Sequence, residues 1–226
     1  MVKAMKRKVS MIVLAAGCGS RMGAPKALLR LRTGTPLLEH HVQTMAEAAQ
    51  TTKAATQGSE DTVEIIVVLG ASADRAWPLI PESARVVENP DYPTGMGSSL
   101  QVGLQAVAAD AEAAIVTLVD VPDTPAETYH RLLEHSGPEV LARCTWNAQP
   151  GHPVMIGREL IPRAIAACHD ETGAKDLFRE LSNQVLGIEC GDLLPPGASG
   201  NSDVDTVAEA HAHGLVVSTT GKSDHD

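Results

Sequence analysis

The richest run of chemistry-bearing residues in this sequence is Leu14-Ala-Ala-Gly-Cys-Gly-Ser-Arg-Met-Gly23, followed by Ala24-Pro-Lys26. Gly17, Gly19 and Gly23 let backbone amides turn toward an anion without hindrance from a Cβ, and Arg21 and Lys26 add two positive charges. Three glycines and two cations exceed what a tight turn needs; a triphosphate needs both. Far along the chain, Asp120 closes the apolar run 113–119 ahead of Val121-Pro122, while Asp203 and Asp205 stand two apart in Asp203-Val-Asp-Thr206. Magnesium takes one or two protein carboxylates and leaves its other positions to phosphate and water. Asp120 together with Asp205, or with its alternate Asp203, therefore suits Mg2+ held against phosphates.

Other reactive residue types carry less. His152, in Gly151-His-Pro153, either orients a substrate or shapes a turn. His211 and His213 are two apart, so on a helix they face different sides and read as solvated. Asp123 reads as a turn or cap residue. Cys18 lies inside the glycine loop, but no histidine and acid accompany it, so it reads as a space-filler and not a nucleophile. Cys18, Cys144, Cys168 and Cys190 form no C-x-x-C pair. That spacing fits reduced thiols in a cytoplasmic protein better than a disulfide framework or zinc site. Ser98-Ser99 after Gly97 reads as a helix start offering hydroxyls and amides to a nucleotide.

Two well-known phosphate patterns fail on the glycine loop. The dinucleotide fingerprint G-x-G-x-x-G requires glycine where Met22 stands. The pattern G-x-x-x-x-G-K-[ST] fails because neither Gly17 nor Gly19 has its partner glycine and Ala27 follows Lys26.

Short apolar runs alternating with longer amphipathic stretches must position these residues, and that alternation predicts a sheet with crossover helices. Strands are expected at 9–15, 63–69, 84–87 and 113–119, and helices at 36–50, 98–109 and 124–135, with Thr124 as N-cap. Residues 51–62 read as a polar loop. Later, 140–145 and 153–156 suggest a hairpin, 158–168 and 174–181 helices, 185–189 an extended segment and 207–213 a helix. Ligands of open parallel sheets lie beyond the carboxyl ends of the strands. The glycine loop, the segment 89–97 and Asp120 all fall there. The expected fold is α/β, three layers with a mostly parallel sheet and a late antiparallel component. It spans one domain, 9–217, after a basic leader, 1–8, and before a flexible tail, 218–226.

Composition excludes other functions. The 226 residues carry 18 Lys+Arg against 28 Asp+Glu, a formal charge of −10, and only one Phe, two Trp and two Tyr. Nucleic-acid binding rests on cationic contacts and stacked aromatics, so neither fits. No apolar run reaches the roughly 18 residues of a membrane span.

The loop resembles L-A-A-G-x-(S/G)-x-R-M-G-x-x-K, the signature of nucleotidyltransferases built on a Rossmann-like sheet, and within them the molybdenum-cofactor nucleotidyltransferases. The resemblance runs over nearly the whole chain, about 9–214. It takes in Asn89-Pro, Gly95-Met-Gly-Ser-Ser99, Val119-Asp-Val-Pro122, Gln149-Pro-Gly-His-Pro153, Glu171-Thr-Gly-Ala-Lys-Asp-Leu177 and Asp203-Val-Asp-Thr206. Lys175 stands where the family often has arginine. The resemblance implies that Leu14, Ala15, Ala16, Gly17, Gly19, Ser20, Arg21, Lys26, Gly70, Asn89, Gly97 and Ser98 bind the nucleotide. Arg21, Lys26 and Asp120 would be catalytic, and Asp120 and Asp205 would hold Mg2+. His152, Lys175 and Asp203 would face the acceptor. Ala15-Ala16-Gly17 and Pro25 before Lys26 look more like cytidylyl-transferring members than guanylyl-transferring ones. The implied reaction transfers CMP from CTP to a phosphorylated pterin, releasing pyrophosphate, with a molybdoenzyme as the candidate protein partner. A sugar-phosphate acceptor, a nicotinamide-dependent oxidoreductase and a non-catalytic nucleotide-binding module are the alternatives.

Overall fold

A computed structural model describes residues 7–55, 62–170, 172–195 and 200–217. The elements run β1 (Lys8–Ala15), β2 (Arg30–Leu31), α1 (Leu37–Ala55), β3 (Thr62–Leu69), α2 (Ala73–Ala76), β4 (Ala84–Glu88), α3 (Met96–Gln105) and β5 (Ala113–Leu118). Then come α4 (Ala126–Glu134), β6 (Leu141–Trp146), β7 (Gln149–Gly157), α5 (Ile161–Ala167), α6 (Lys175–Glu180), β8 (Leu186–Glu189), α7 (Val207–Ala212) and β9 (Leu215–Val216).

Seven strands form one sheet in the order β4-β3-β1-β5-β7-β6-β8. β4, β3, β1 and β5 are parallel. β7 runs antiparallel to both β5 and β6, and β8 is parallel to β6. β1 is apolar along nearly its whole length because helices cover both of its faces. On one face Val9, Met11, Val13 and Ala15 join Leu37, Leu38 and Met45 of α1 and Tyr129 and Leu132 of α4. On the other, Ile12 and Leu14 join Leu100 and Leu104 of α3, Ile161 of α5 and Leu177 of α6. The result is the three-layer α/β fold expected from the alternating pattern.

From β1 the chain steps outward to β3 and β4, then returns to place β5 on the other flank of β1. Strand order therefore reverses at the β1–β5 junction, where open sheets of this kind leave a crevice. The glycine loop leaves β1 at that junction and Asp120 follows β5.

Several local expectations need correction. α1 continues to Ala55, so the stretch read as a polar loop from 51 begins as helix; Ala54 and Ala55 favour that state. Residues 56–61 lie outside the described set, as do 1–6 of the leader and the tail 218–226. α3 starts at Met96 and ends at Gln105, beginning two residues and ending four residues earlier than the pattern suggested. Thr124 does not cap α4: it is buried, its hydroxyl donates to the Val121 carbonyl at 3.3 Å, and Pro125 takes the cap position. Among the described residues no helix is long and apolar enough to cross a membrane.

Candidate active site

The glycine loop is pinned at three buried points and open between them. Met22, Ala27 and Leu29 insert into the core at 6%, 1% and 1% exposure, while Gly17, Cys18, Ser20 and Arg21 face solvent. Met22, which breaks the dinucleotide fingerprint, is thus the peg that holds the loop down. Between the pegs the chain turns at Gly19, whose carbonyl accepts from the amides of Met22 (3.0 Å) and Gly23 (2.9 Å). Gly19 has φ +61°, and a Cβ there would lie 1.9 Å from the Ala24 carbonyl oxygen, so only glycine serves. Among the described residues the amides of Gly17, Cys18 and Ser20 have no backbone acceptor. These are the donors an anion would take.

Lys26 opens a short 3-10 turn, Lys26–Leu28, at the end of the loop. Its Nζ donates to Asp120 Oδ2 at 2.7 Å and to Asp205 Oδ1 at 2.6 Å. The other oxygen of Asp205 pairs with Arg21 at 2.8 Å. All three side chains around the ammonium are mostly shielded, at 16% exposure for Lys26, 20% for Asp120 and 27% for Asp205. Burial alone would lower the Lys26 pKa, but Asp120 and Asp205 outweigh it and hold the ammonium above its usual value. Hydrogen bonding to Lys26 draws the Asp205 carboxyl below its ordinary range, and Arg21 adds to the effect. Four residues that the sequence placed in the site are therefore one connected charge network.

Two backbone arrangements bring Asp205 to Asp120 across 85 positions. The Val204 amide donates to the Asp120 carbonyl at 3.0 Å, and the Val204 side chain is fully buried. Next, Glu209 Oε2 accepts from the amides of Asp205 and Thr206, both at 2.8 Å, while Thr206 Oγ1 accepts from the Glu209 amide at 3.2 Å. This capping box at the start of α7 fixes the Asp205 backbone. Neither Val204 nor Glu209 was singled out from sequence, although Thr206-x-x-Glu209 is a legible capping signature. Another missed residue is buried His41 of α1, whose Nε2 meets the Val119 carbonyl at 3.2 Å, one residue before Asp120.

The remaining predicted residues fall around this centre in different states. Leu14, Ala15 and Ala16 are buried strand-end residues leading into the loop. Gly70 is packed so closely that a Cβ would meet Tyr92 Cβ at 2.7 Å and Ala16 Cβ at 2.9 Å. Asn89 is buried, and its amide donates to the hydroxyls of Ser98 (2.8 Å) and Ser99 (3.0 Å) while its oxygen accepts from the Asp91 amide (3.0 Å). Ser98 Oγ lies within reach of the carbonyls of Asp91 and Gly95. The Gly97 amide donates to the Asp170 carbonyl at 2.8 Å, and a Cβ on Gly97 would lie 2.8 Å from His169 backbone atoms. The start of α3 is thus closed by the segment around His169–Asp170, and its polar groups have protein partners.

On the far side of Asp120, His152 precedes a cis bond to Pro153 in β7. Its carbonyl accepts from Trp146 Nε1 at 3.0 Å, and its Nδ1 is buried without a hydrogen-bond partner. Burial, followed by the charge of Arg143, lowers the His152 pKa and keeps the imidazole neutral. Asp203 is exposed overall, yet partial burial and the neighbouring Asp120 raise its carboxyl pKa. Lys175 begins α6 and is exposed. Asp123 lies in the turn before α4, one of the two roles expected of it. One expectation is corrected here: His213 is not solvated, since its Nδ1 pairs with Asp123 Oδ2 and its side chain is only 18% exposed. His211 is exposed, as expected.

Asp120 Oδ1 is buried and lacks a hydrogen-bond partner, an unsatisfied hard oxygen facing the network. With Asp205 on the same ammonium, this donor set fits a magnesium ion that draws its remaining ligands from phosphate and water. Among the described residues no group of three or more His, Cys, Asp or Glu converges as a self-sufficient metal site.

Known proteins share this architecture. Rv0371c of Mycobacterium tuberculosis H37Rv superposes with a TM-score of 0.72 at 23% identity, covering 92% of this chain and 98% of that one. A second structure of the same protein is a complex with manganese, with a TM-score of 0.66 over 90% of this chain and 96% of that one. In sequence, nicotine blue oxidoreductase of Paenarthrobacter nicotinovorans is 32% identical over 212 residues, 90% of this chain and 95% of that protein. The bifunctional IPC transferase and DIPP synthase of Rubrobacter xylanophilus is 37% identical over 162 residues, 67% of this chain and 33% of that protein. A family model described as the MobA-like NTP transferase domain matches residues 11–185. That span contains the glycine loop, Lys26 and Asp120 and ends before Asp205, and by it the chain belongs to the MobA-like NTP transferase family.

Proposed function

We propose that this protein is a magnesium-dependent cytidylyltransferase that moves CMP from CTP onto a phosphorylated acceptor of the molybdopterin type and releases pyrophosphate. The observation that carries the reading is one ammonium, Lys26, held between two carboxylates at the β1–β5 junction. A triphosphate entering the open loop offers Arg21 and Lys26 a stronger anionic partner and frees Asp120 and Asp205. The amides of Gly17, Cys18 and Ser20 then hold the phosphate oxygens. Asn89, Gly97 and Ser98 act by shaping the wall, since their polar groups are already used within the protein. When bound, Mg2+ on Asp120 and Asp205 neutralises phosphate charge and aligns the α-phosphate.

An oxygen of the acceptor phosphate forms the new bond to the α-phosphorus, the bond from that phosphorus to the β-bridging oxygen breaks, and pyrophosphate leaves with the electron pair. The attacking oxygen is already anionic at neutral pH, so no proton moves and no general base is needed. The protein's work is positioning and charge stabilisation. His152, Lys175 and Asp203 line the acceptor side, and a molybdoenzyme would receive the product.

Pyrophosphate release from CTP, GTP, ATP and UTP, with Mg2+ and with or without molybdopterin, tests the reading. Release from CTP that requires the acceptor is expected. Release from another triphosphate would overturn the base, and release with a sugar phosphate instead would overturn the acceptor. The similarity to nicotine blue oxidoreductase supports a second reading, a nicotinamide-dependent oxidoreductase. Acceptor-dependent loss of NADPH absorbance at 340 nm would establish it.

A further inference from the structure

Arg143 of β6 is a cation without a counter-ion among the described residues. It is half-buried, its Nε is enclosed with no hydrogen-bond partner, and among the described residues no carboxylate pairs with it. Its guanidinium carbon instead stands 5.5 Å from the centre of the Phe178 ring on α6. Buried charges in proteins are ordinarily paired, because desolvation without compensation is costly. A ring face repays only part of that cost.

Its neighbours say what would complete it. Arg143 is in register with Val154 of β7, two residues from His152, and shares with Val154 the face covered by α5 and α6. His152 feels the charges of Arg143, Asp120 and Lys175 together. Burial lowers the pKa of that imidazole, and Arg143 and Lys175 are the cations acting on it. Desolvation lowers even the Arg143 pKa, as expected for a guanidinium lacking an anion.

We propose that Arg143 is the anchor for the acceptor's phosphate, its two Nη groups gripping the oxyanion while Phe178 backs the guanidinium plane. A planar guanidinium presents two parallel N–H donors to a phosphate, a match that an ammonium cannot reproduce. The acceptor phosphate would then lie on the sheet face that Arg143 shares with Val154, two residues along β7 from His152. The inference rests on the transfer reading for the identity of its ligand, and it divides the site by charge. Arg21 and Lys26 serve the nucleotide, and Arg143 with Lys175 serves the acceptor.

Inorganic phosphate is the probe. It is titrated calorimetrically into the full chain saturated with Mg2+ and CTP, so that the glycine loop is filled, and again into the nucleotide-free protein. Arg143→Gln should weaken phosphate binding at least tenfold in the saturated protein while leaving the CTP dissociation constant within twofold. Lys26→Gln should leave phosphate affinity in the saturated protein within twofold. Equal phosphate affinity in wild type and Arg143→Gln, or no phosphate binding by the wild type, overturns the anchor. Should Arg143→Gln lose its cooperative melt, Arg143→Lys keeps charge and stem but loses the fork. It is then judged by the same titration, with at least a threefold loss expected and none overturning the proposal. Failure of the transfer reading is separate: no triphosphate releases pyrophosphate with any acceptor, yet the nucleotide-free titration still reports on Arg143.

Discussion

Lys26 holds two carboxylates on one ammonium, so its removal should separate chemistry from binding. Charge on the departing pyrophosphate grows in the transition state, where a positioned cation contributes most. Lys26→Ala is expected to lower kcat by about 100-fold, the order found for loss of one such stabilising group, and to weaken nucleotide binding far less. Equal losses in the two quantities would make Lys26 a binding residue only. Asp120→Asn removes a charge from the network but keeps the shape. It should abolish Mg2+-dependent turnover while the thermal melt stays cooperative; unchanged turnover would remove Asp120 from the site. Arg21, Lys26 and Asp120 were legible in the sequence because cations on a glycine-rich loop and a carboxylate at the end of an apolar run have few structural reasons to be there, whereas Asp205 was preferred to Asp203 only through the family resemblance. Arg143 was not, since an arginine inside a strand pattern gives no sign of whether a carboxylate awaits it in the fold.

At the scale of elements, the strands were read to within one or two residues wherever both faces are buried, as in β1 and β3. Pieces held by distant partners escaped notice. β2 and β9 are two residues each and exist only because Arg30–Leu31 pairs with Leu215–Val216 from the other end of the chain. The Thr124 cap failed for a similar reason: propensity favours threonine there, but burial gave its hydroxyl a nearer carbonyl. The capping box of α7 makes a sharper demand. Glu209→Ala should lower stability, because the amides of Asp205 and Thr206 lose their side-chain acceptor. It should also reduce turnover by loosening Asp205, whereas Val207→Ala, on the same helix but outside the box, should leave turnover unchanged. Kinetics and urea unfolding of the two variants decide this.

For the molecule as a whole, stability should carry the signature of its buried imidazoles, His41 above all. Burial, reinforced by His40, pushes the His41 pKa down to about 4, while the unfolded chain titrates near 6.5. Between those values the unfolded state binds the extra proton, so stability is full above pH 6.5 and falls as pH drops toward 4. Urea midpoints should show this loss in wild type and a shallower one in His41→Gln; parallel curves would refute it. Ligand linkage is also global. At one hundred times its dissociation constant, Mg2+ with CTP should add about 2.7 kcal/mol, raising the melting temperature by roughly 5 to 10 °C. Scanning fluorimetry with each triphosphate would rank the bases without any acceptor.

The hydrogen bond from Val204 to Asp120 also has a consequence for synthesis. The glycine loop and Asp120 leave the ribosome early, but Lys26 gains its second carboxylate only after Asp205 and its Glu209 clasp have emerged. A stalled translation product lacking that segment would be able to form β1, β5 and the loop and still leave Lys26 half-partnered. Competence therefore arrives late in translation, as a single event, when one short turn docks against a strand end made long before.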